Sequence, residues 1–339
     1  MKISLIVGAF GGLALASGLF THYGFAPIIA AVASAGWGGL AAICAVHLVS
    51  LLLCALAWHL LLVEASAGAF SVLLWARWLR DSAGNLLAIL PAAGELIAAR
   101  ELTFYGFSRS LAAAATIIDL TIEVSSQLIF TLLGLALLLV QQPAAGSAWW
   151  AAVALAAVAT AVAGFIGAQR NGIFRMLKQL ATRLGLRQPF QSLGDVARID
   201  AAIQGIYQHR IRVAGSIVLH LAAWVAGAAE TWLGLWLMGY PVSVADALVV
   251  ESLVFALRTA AFAVPLGLGV QEGGYLMLGA LLGLRPDVSL ALALLKRARE
   301  VIVAVPAVVI WQAIESRRLW LELGSWRQTG SAEVREPPS

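Results

Sequence analysis

The chain has 339 residues, of which 61% are hydrophobic and 12% charged, with a formal net charge of +4. Mean hydropathy is +0.89. Soluble domains carry roughly twice that charge fraction, so the composition excludes a soluble enzyme and a nucleic-acid-binding domain and indicates an all-α integral membrane protein. Several apolar runs exceed the ~18 residues that cross a bilayer. Twelve Trp suit anchoring at membrane interfaces. The longest polar stretch, Gln169 to Arg212, has about 44 residues, too few for a catalytic domain.

Met1-Lys2 followed by Ile3 to Phe20 reads as an uncleaved first span, because no small-x-small cleavage site follows directly. Thr21 to Gly36 is expected as an outer loop with room for an interfacial helix. Trp37 to Val63 is the second span. Its Cys44 and Cys54 would stand about 15 Å apart on one helix, too far for a disulfide. His47 and His59 match no metal motif, and no metal site is expected.

Arg77 to Glu101 is an apolar segment broken in its middle, at Leu90-Pro91-Ala92-Ala93-Gly94-Glu95. Pro91 disfavours helix at Leu90 and removes a backbone donor. Gly94 lets backbones approach. Glu95 is a carboxylate deep in apolar sequence, where charge is costly and usually functional. Arg77, Arg80 and Asp81 close the segment in front; Arg100 and Glu101 close it behind. A single continuous span and a re-entrant helical hairpin both fit. Broken backbone at membrane depth is tolerated only where protein or a wet cavity surrounds it.

Ser110 to Val140 is a long apolar helix with a polar stripe. Thr116, Asp119, Glu123, Ser126 and Gln127 are three and four apart, so they share one face. Two carboxylates there indicate a polar cavity or a protonated pair, unless Asp119 is hydrated at the inner interface. Gln141 to Ser147 is a short outer turn, and Trp149 to Ala168 another span. Gln169 to Arg212 carries Arg170, Arg175, Lys178, Arg183, Arg187, Arg198, Arg210 and Arg212 against Asp195 and Asp200, which assigns it to the cytoplasm. Within it, Ile173 to Leu184 is amphipathic and fits either an anionic lipid surface or a solvated basic linker.

Val213 to Met238 is a span carrying His220 and Glu230, and Gly239 to Ala245 an outer turn. Asp246 to Leu284 is a second broken segment. Glu251 and Arg258 precede its break at Pro265-Leu266-Gly267-Leu268-Gly269, and Gln271-Glu272 follow. Ser289 to Trp311 is the last span, interrupted by Lys296, Arg297, Arg299 and Glu300 and then containing Pro306. The remaining tail, 321–339, is basic, is expected in the cytoplasm and reads as disordered from Gly330.

From a cytoplasmic N-terminus, six segments cross and two dip. Span two, hairpin and span three then mirror span five, hairpin and span six in inverted orientation, which is a transporter plan. The repeat is one of topology only: Pro91 precedes its Glu by four positions and Pro265 by seven.

Arg77-Trp78-Leu79-Arg80-Asp81, Leu90-Pro91-Ala92-Ala93-Gly94-Glu95 with Arg100, Asp119 with Glu123-x-x-x-Gln127, and Pro265-x-Gly267-x-Gly269-x-Gln271-Glu272-Gly273 together resemble the flippase-like family. That family includes the transmembrane domain of lysylphosphatidylglycerol synthases, and within it the chain is most similar to hopanoid-associated members. The resemblance covers residues 1–320 and implies movement of a lipid between leaflets of a bacterial inner membrane, with both termini cytoplasmic. The soluble aminoacyl-transferase domain of the synthases has no counterpart, so a non-enzyme without cofactor is expected.

The expected partner is a membrane lipid, hopanoid or phospholipid, with lipid-biosynthesis enzymes as further candidates and no nucleic acid. The expected substrate-contacting residues are Arg80, Glu95, Arg100, Asp119, Glu123, Gln127, Arg258, Gln271, Glu272, Lys296, Arg297 and Arg299. Hairpin tips are expected at Pro91 and Gly94 and at Pro265, Gly267 and Gly269. Lys296, Arg297 and Arg299 would leave unpaired cations for phosphate, with Arg the better binder. No G-x-x-x-x-G-K-[ST] motif occurs to couple a nucleotide. Two other functions fit less well. A headgroup transferase using Asp119 and Glu123 as a metal or acid–base pair would need more polar-loop carboxylates. A scaffold for lipid-biosynthesis enzymes would not need buried charge on four segments. The topology is directly testable: a cysteine at Gln191 should resist labelling from outside intact cells, and ready labelling would invert it.

Overall fold

The computed structural model describes residues 17–19, 21–62, 68–86, 93–141, 193–261 and 264–333, with isolated positions between 156 and 167. Every regular element among them is helical. They are α1 (Phe25–Leu61), α2 (Ala69–Leu86), α3 (Ala93–Phe104), α4 (Arg109–Gln141), α5 (Leu193–Gln208), α6 (Arg210–Leu237), α7 (Val244–Ala260), a 3₁₀ turn (Pro265–Gly267), α8 (Val270–Leu281) and α9 (Pro286–Glu333). Three helices are long and apolar enough to cross a membrane: Ile28–Leu61, Arg109–Gln141 and Arg210–Leu237. The expected spans 3–20 and 149–168, the basic stretch 169–192 and the first hairpin tip with Pro91 lie outside the described residues.

The contact pattern has two-fold character. α1 packs on α6 along the longest seam. Around it each contact has a mate: α1 on α2 as α6 on α7, α2 on α3 as α7 on α8, and α3 on α4 as α8 on α9. The halves also exchange partners, with α9 lying on α1 and α2 as α4 lies on α6 and α7. Among the described residues α5 alone has no mate, and it packs chiefly on α4.

Two apolar cores flank this seam. One gathers Ile43, Leu235, Val250, Val254, Tyr275, Leu278 and Leu290. The other gathers Trp58, Leu61, Leu73, Ala98, Leu102, Ile118 and Ile203. α1 contributes to both ends and leaves its middle, around His47 to Cys54, for a polar layer. The hairpin arms are locally determined. α7 begins with a capping box, in which Ser243 Oγ accepts the Asp246 N–H at 3.1 Å and Asp246 accepts the Ser243 N–H at 3.2 Å. At the second tip the chain turns through Leu266 (φ 60°), Gly267 (φ 57°) and Gly269 (φ 75°); the left-handed region costs glycine little. Leu266 has no such freedom and is held there by the bonds its neighbours make. Glu272 closes the turn by accepting the Gly269 N–H at 2.7 Å.

Four expectations change. The outer loop 21–36 is helical from Phe25, and α1 breaks only at Gly36 (φ 64°). The described end of the basic loop is helical: it is α5, which buries Ile203 and Ile206 and packs chiefly on α4 and less on α6, while the amphipathic 173–184 lies outside the described residues. Arg77 and Arg80, expected at the membrane boundary, are 3% and 4% exposed. α9 continues to Glu333, past Gly330, where disorder was expected to begin.

Gly94 fixes how closely α2 and α3 pair. A Cβ there would stand 2.4 Å from the Arg80 carbonyl oxygen, and backbone cannot yield as a side chain can. Gly94→Ala should therefore cost about 1–3 kcal/mol of overpacking. Gly84→Ala, with nothing within 4 Å of its Cβ, should be neutral or slightly stabilising. Thermal unfolding of both variants in detergent checks the contrast.

Candidate functional site

The polar layer surrounds a cavity of about 350 Å³. Its charged lining comes from every helix of both halves except α8: His47 on α1, Arg77, Arg80 and Asp81 on α2, Glu95 on α3, Glu123 on α4, Glu230 on α6, Glu251 and Arg258 on α7, and Arg299 and Glu300 on α9. Gln127, Trp224 and Phe255 complete one wall.

The first half builds a four-membered ion cluster. Arg77 and Arg80 are one helical turn apart on α2, and Asp119 and Glu123 one turn apart on α4, so the two pairs face each other in register. Arg77 donates to Asp119 at 3.3 Å and to Glu123 at 2.6 and 3.1 Å. Arg80 donates to Asp119 at 2.5 Å and to Glu123 at 2.8 Å. Asp119 is fully buried and also meets His220 Nε2 at 3.1 Å. This places it in a structured cluster rather than at a hydrated interface. Glu95 approaches Arg80 at 3.6 Å.

The second half builds its own network at the matching helices. Lys296 Nζ lies 2.5 Å from Glu251 and 3.8 Å from Glu230, and donates to the Gly227 carbonyl at 3.2 Å. Glu251 also accepts from Thr231 at 2.5 Å and Tyr275 at 3.0 Å. Arg299 pairs with Glu230 at 3.1 Å, and His47 bonds the same carboxylate at 3.1 Å. Arg258 donates to Glu300 at 3.0 Å. Arg297 ties the tip: it donates to Glu272 at 3.1 Å, Glu300 at 3.2 Å and the carbonyls of Leu266 and Gly267 at 2.7 and 3.2 Å.

Of the expected contact residues, Arg80, Glu95, Glu123, Gln127, Arg258 and Arg299 line the cavity. Asp119, Lys296, Arg297 and Glu272 stand behind it as partners of lining groups or of the tip. Three expectations fail. Lys296, Arg297 and Arg299 are not unpaired cations, because four helices, α6 to α9, supply carboxylates that engage each of them. Arg100 is remote: it bonds Glu315 on α9 and lies 4.8 Å over the Phe104 ring. Gln271 is buried, but neither of its polar atoms finds a partner and it does not reach the cavity.

Arg77, Asp81, Glu230, Glu251, Glu300 and His47 were not among the expected residues. Glu230, between Ala229 and Thr231, and Glu251, after Val249-Val250, carry the signal of a carboxylate inside an apolar run. His47 carries none.

Each cation in this layer is held by groups on other helices, so removing one strands its partners. Arg80→Met should destabilise by about 3–5 kcal/mol by leaving Asp119 and Glu123 undercompensated. Adding Asp119→Asn should recover part of that loss, a non-additive result that a double-mutant cycle in thermal unfolding would read. Equal loss from both single variants with no recovery would mean the cluster is solvated.

No curated protein and no solved structure matches the chain. The profile of the family described as the lysylphosphatidylglycerol synthase TM region matches residues 2–307, which takes in α1 to α8 and the charged part of α9. The chain is thus a multi-pass membrane protein with a lipid-related role, and it belongs to the lysylphosphatidylglycerol synthase transmembrane-region family.

Proposed function

We propose that the chain is a lipid translocase that passes a polar or anionic headgroup, of a hopanoid or a phospholipid, from one leaflet to the other. The carrying observation is the charged cavity of about 350 Å³ built jointly by two matched sets of helices. A headgroup needs a polar place in the bilayer, and its apolar tails can remain in lipid. Buried ions cost several kcal/mol each, and a scaffold for biosynthetic enzymes has no need of them at its centre. A transferase reading is weaker as well, because Asp119 and Glu123 are engaged by two guanidinium groups instead of being free for acid–base work.

The proposed layout is six crossings with two re-entrant hairpins in inverted repeat, both termini facing the cytoplasm of a bacterial inner membrane. The mated helix contacts support it, as does the broken backbone at Pro265 to Gly269. An incoming phosphate would bind by exchange: it would displace a carboxylate from Arg258 or Arg299, since no cation of the layer stands free. Arg297 is read as the positioning residue for the second tip.

Reconstitution in liposomes tests this. Arg297→Ala and Glu272→Gln should abolish leaflet-to-leaflet movement while membrane levels stay near normal, and Arg297→Lys should only partly rescue because the planar fork is lost. Val124→Trp, which fills the cavity without touching a charge, should slow movement in the same assay. Wild-type rates in all of these variants would overturn the cavity as the headgroup's path, and a wild type that moves no lipid would remove the translocase reading and favour the scaffold.

A further inference from the structure

His47, on α1 of the first half, reaches into the charge network of the second half and faces the cavity. Its ring lies between helices: Nδ1 is 3.1 Å from Glu230 Oε1 on α6, and Nε2 is 3.4 Å from Arg299 Nη1 on α9. Arginine can only donate, and it stays charged in proteins. The Nε2 facing it must therefore present a lone pair, and the proton sits on Nδ1, donating to Glu230. This arrangement holds a neutral imidazole. The side chain is 21% exposed and lines the cavity, so that lone pair is within reach of water. His220, by contrast, has a side chain 1% exposed, is spent on Asp119 and does not line the cavity.

Facing the same space are Glu230 on α6; Asp81, Arg77 and Arg80 on α2; Glu95 on α3; Glu123 on α4; Glu251 and Arg258 on α7; and Arg299 and Glu300 on α9. Lys296 reaches the same Glu230 from behind, and Cys44 is one turn away on α1 itself. Among these groups six carboxylates face five permanent cations, before any proton is taken up.

We propose that His47 is the proton-binding site of this protein, and that its protonation releases Arg299 to receive the phosphate of a lipid headgroup; this rests on the translocase reading. The step is a simple proton transfer. A hydronium in the cavity gives its proton to the Nε2 lone pair, leaving water and an imidazolium. Nδ1–H keeps its bond to Glu230. Arg299 loses its acceptor at Nη1 and now faces a like charge; its Nη2 keeps Glu230 at 3.1 Å, and the freed Nη1 edge of the guanidinium turns toward the cavity. Loss of the proton restores the acceptor and closes the guanidinium back onto His47. One proton and one anionic group therefore occupy the site together.

The test uses the full chain in proteoliposomes of phosphatidylcholine with labelled phosphatidylglycerol, at equal pH on both sides. Lipid movement should accelerate about tenfold from pH 8 to pH 5, the window in which histidine is the side chain that ordinarily changes charge. His47→Gln and Arg299→Gln should each flatten that dependence. A wild-type rate that does not change with pH overturns the proposal and leaves the translocase intact. A wild type that moves no lipid at any pH sinks the translocase reading instead. In that case ¹⁵N-histidine spectra in nanodiscs, assigned by difference with His47→Gln, decide. A ring protonated on Nδ1 at pH 8 and on both nitrogens at pH 5 upholds the proton site. A ring protonated on Nε2 at pH 8, or one that stays neutral at pH 5, overturns it.

Discussion

The fold depends on the salt-bridged contact of Arg77 and Arg80 with Asp119 and Glu123. Ions taken out of water lose hydration worth several kcal/mol each, and only close, well-directed partners offset that loss. In the polar layer every buried cation has a partner on another helix. α2 brings both cations and α4 both anions, while in the second half Lys296 of α9 finds Glu251 of α7 and Glu230 of α6. The polar layer thus cross-links helices that apolar packing alone would allow to slide. The apolar cores on either side set spacing, and the ions set register.

Such a layer is a poor source of net stability and a good source of alternatives. A buried pair replaced by apolar residues is often neutral or better, so stability does not explain why so many are present. Several carboxylates here are shared. Glu230 is contacted by His47, Lys296 and Arg299, and Glu300 by Arg258 and Arg297. Shared acceptors let a cation change partner without any group being left bare. Packed interiors switch between discrete arrangements rather than deforming smoothly, and exchangeable ion pairs suit that behaviour.

Much of this was legible in the sequence, and the failures have a common cause. The long helices followed from apolar runs, and the second tip from Pro265, Gly267 and Gly269. The α4 stripe followed from spacing alone, because Asp119 and Glu123 are four apart. Pairing was not legible. Arg77 looked like a boundary charge because it precedes an apolar run, yet its acceptors sit more than forty residues later, at Asp119 and Glu123. The same blindness made Lys296, Arg297 and Arg299 look unpaired: apart from Glu300, three residues after Arg297, their carboxylates are on α6, α7 and α8, and no local pattern records that. Arg100 failed in the opposite direction. It flanks the first hairpin as Arg80 does, but it projects beyond the layer to Glu315.

α5 breaks the symmetry that the rest of the contact pattern keeps. It lies on α4, and α9, the mate of α4, has no such helix among the described residues. Two identical halves that trade conformations would give two states of equal energy. A helix that buries Ile203 and Ile206 chiefly against α4 would remove that degeneracy. An imbalance of about 1.4 kcal/mol is already tenfold in population, well within what two buried isoleucines can supply. If the halves do trade conformations, as the translocase proposal requires, α5 is the counterweight that favours one of them.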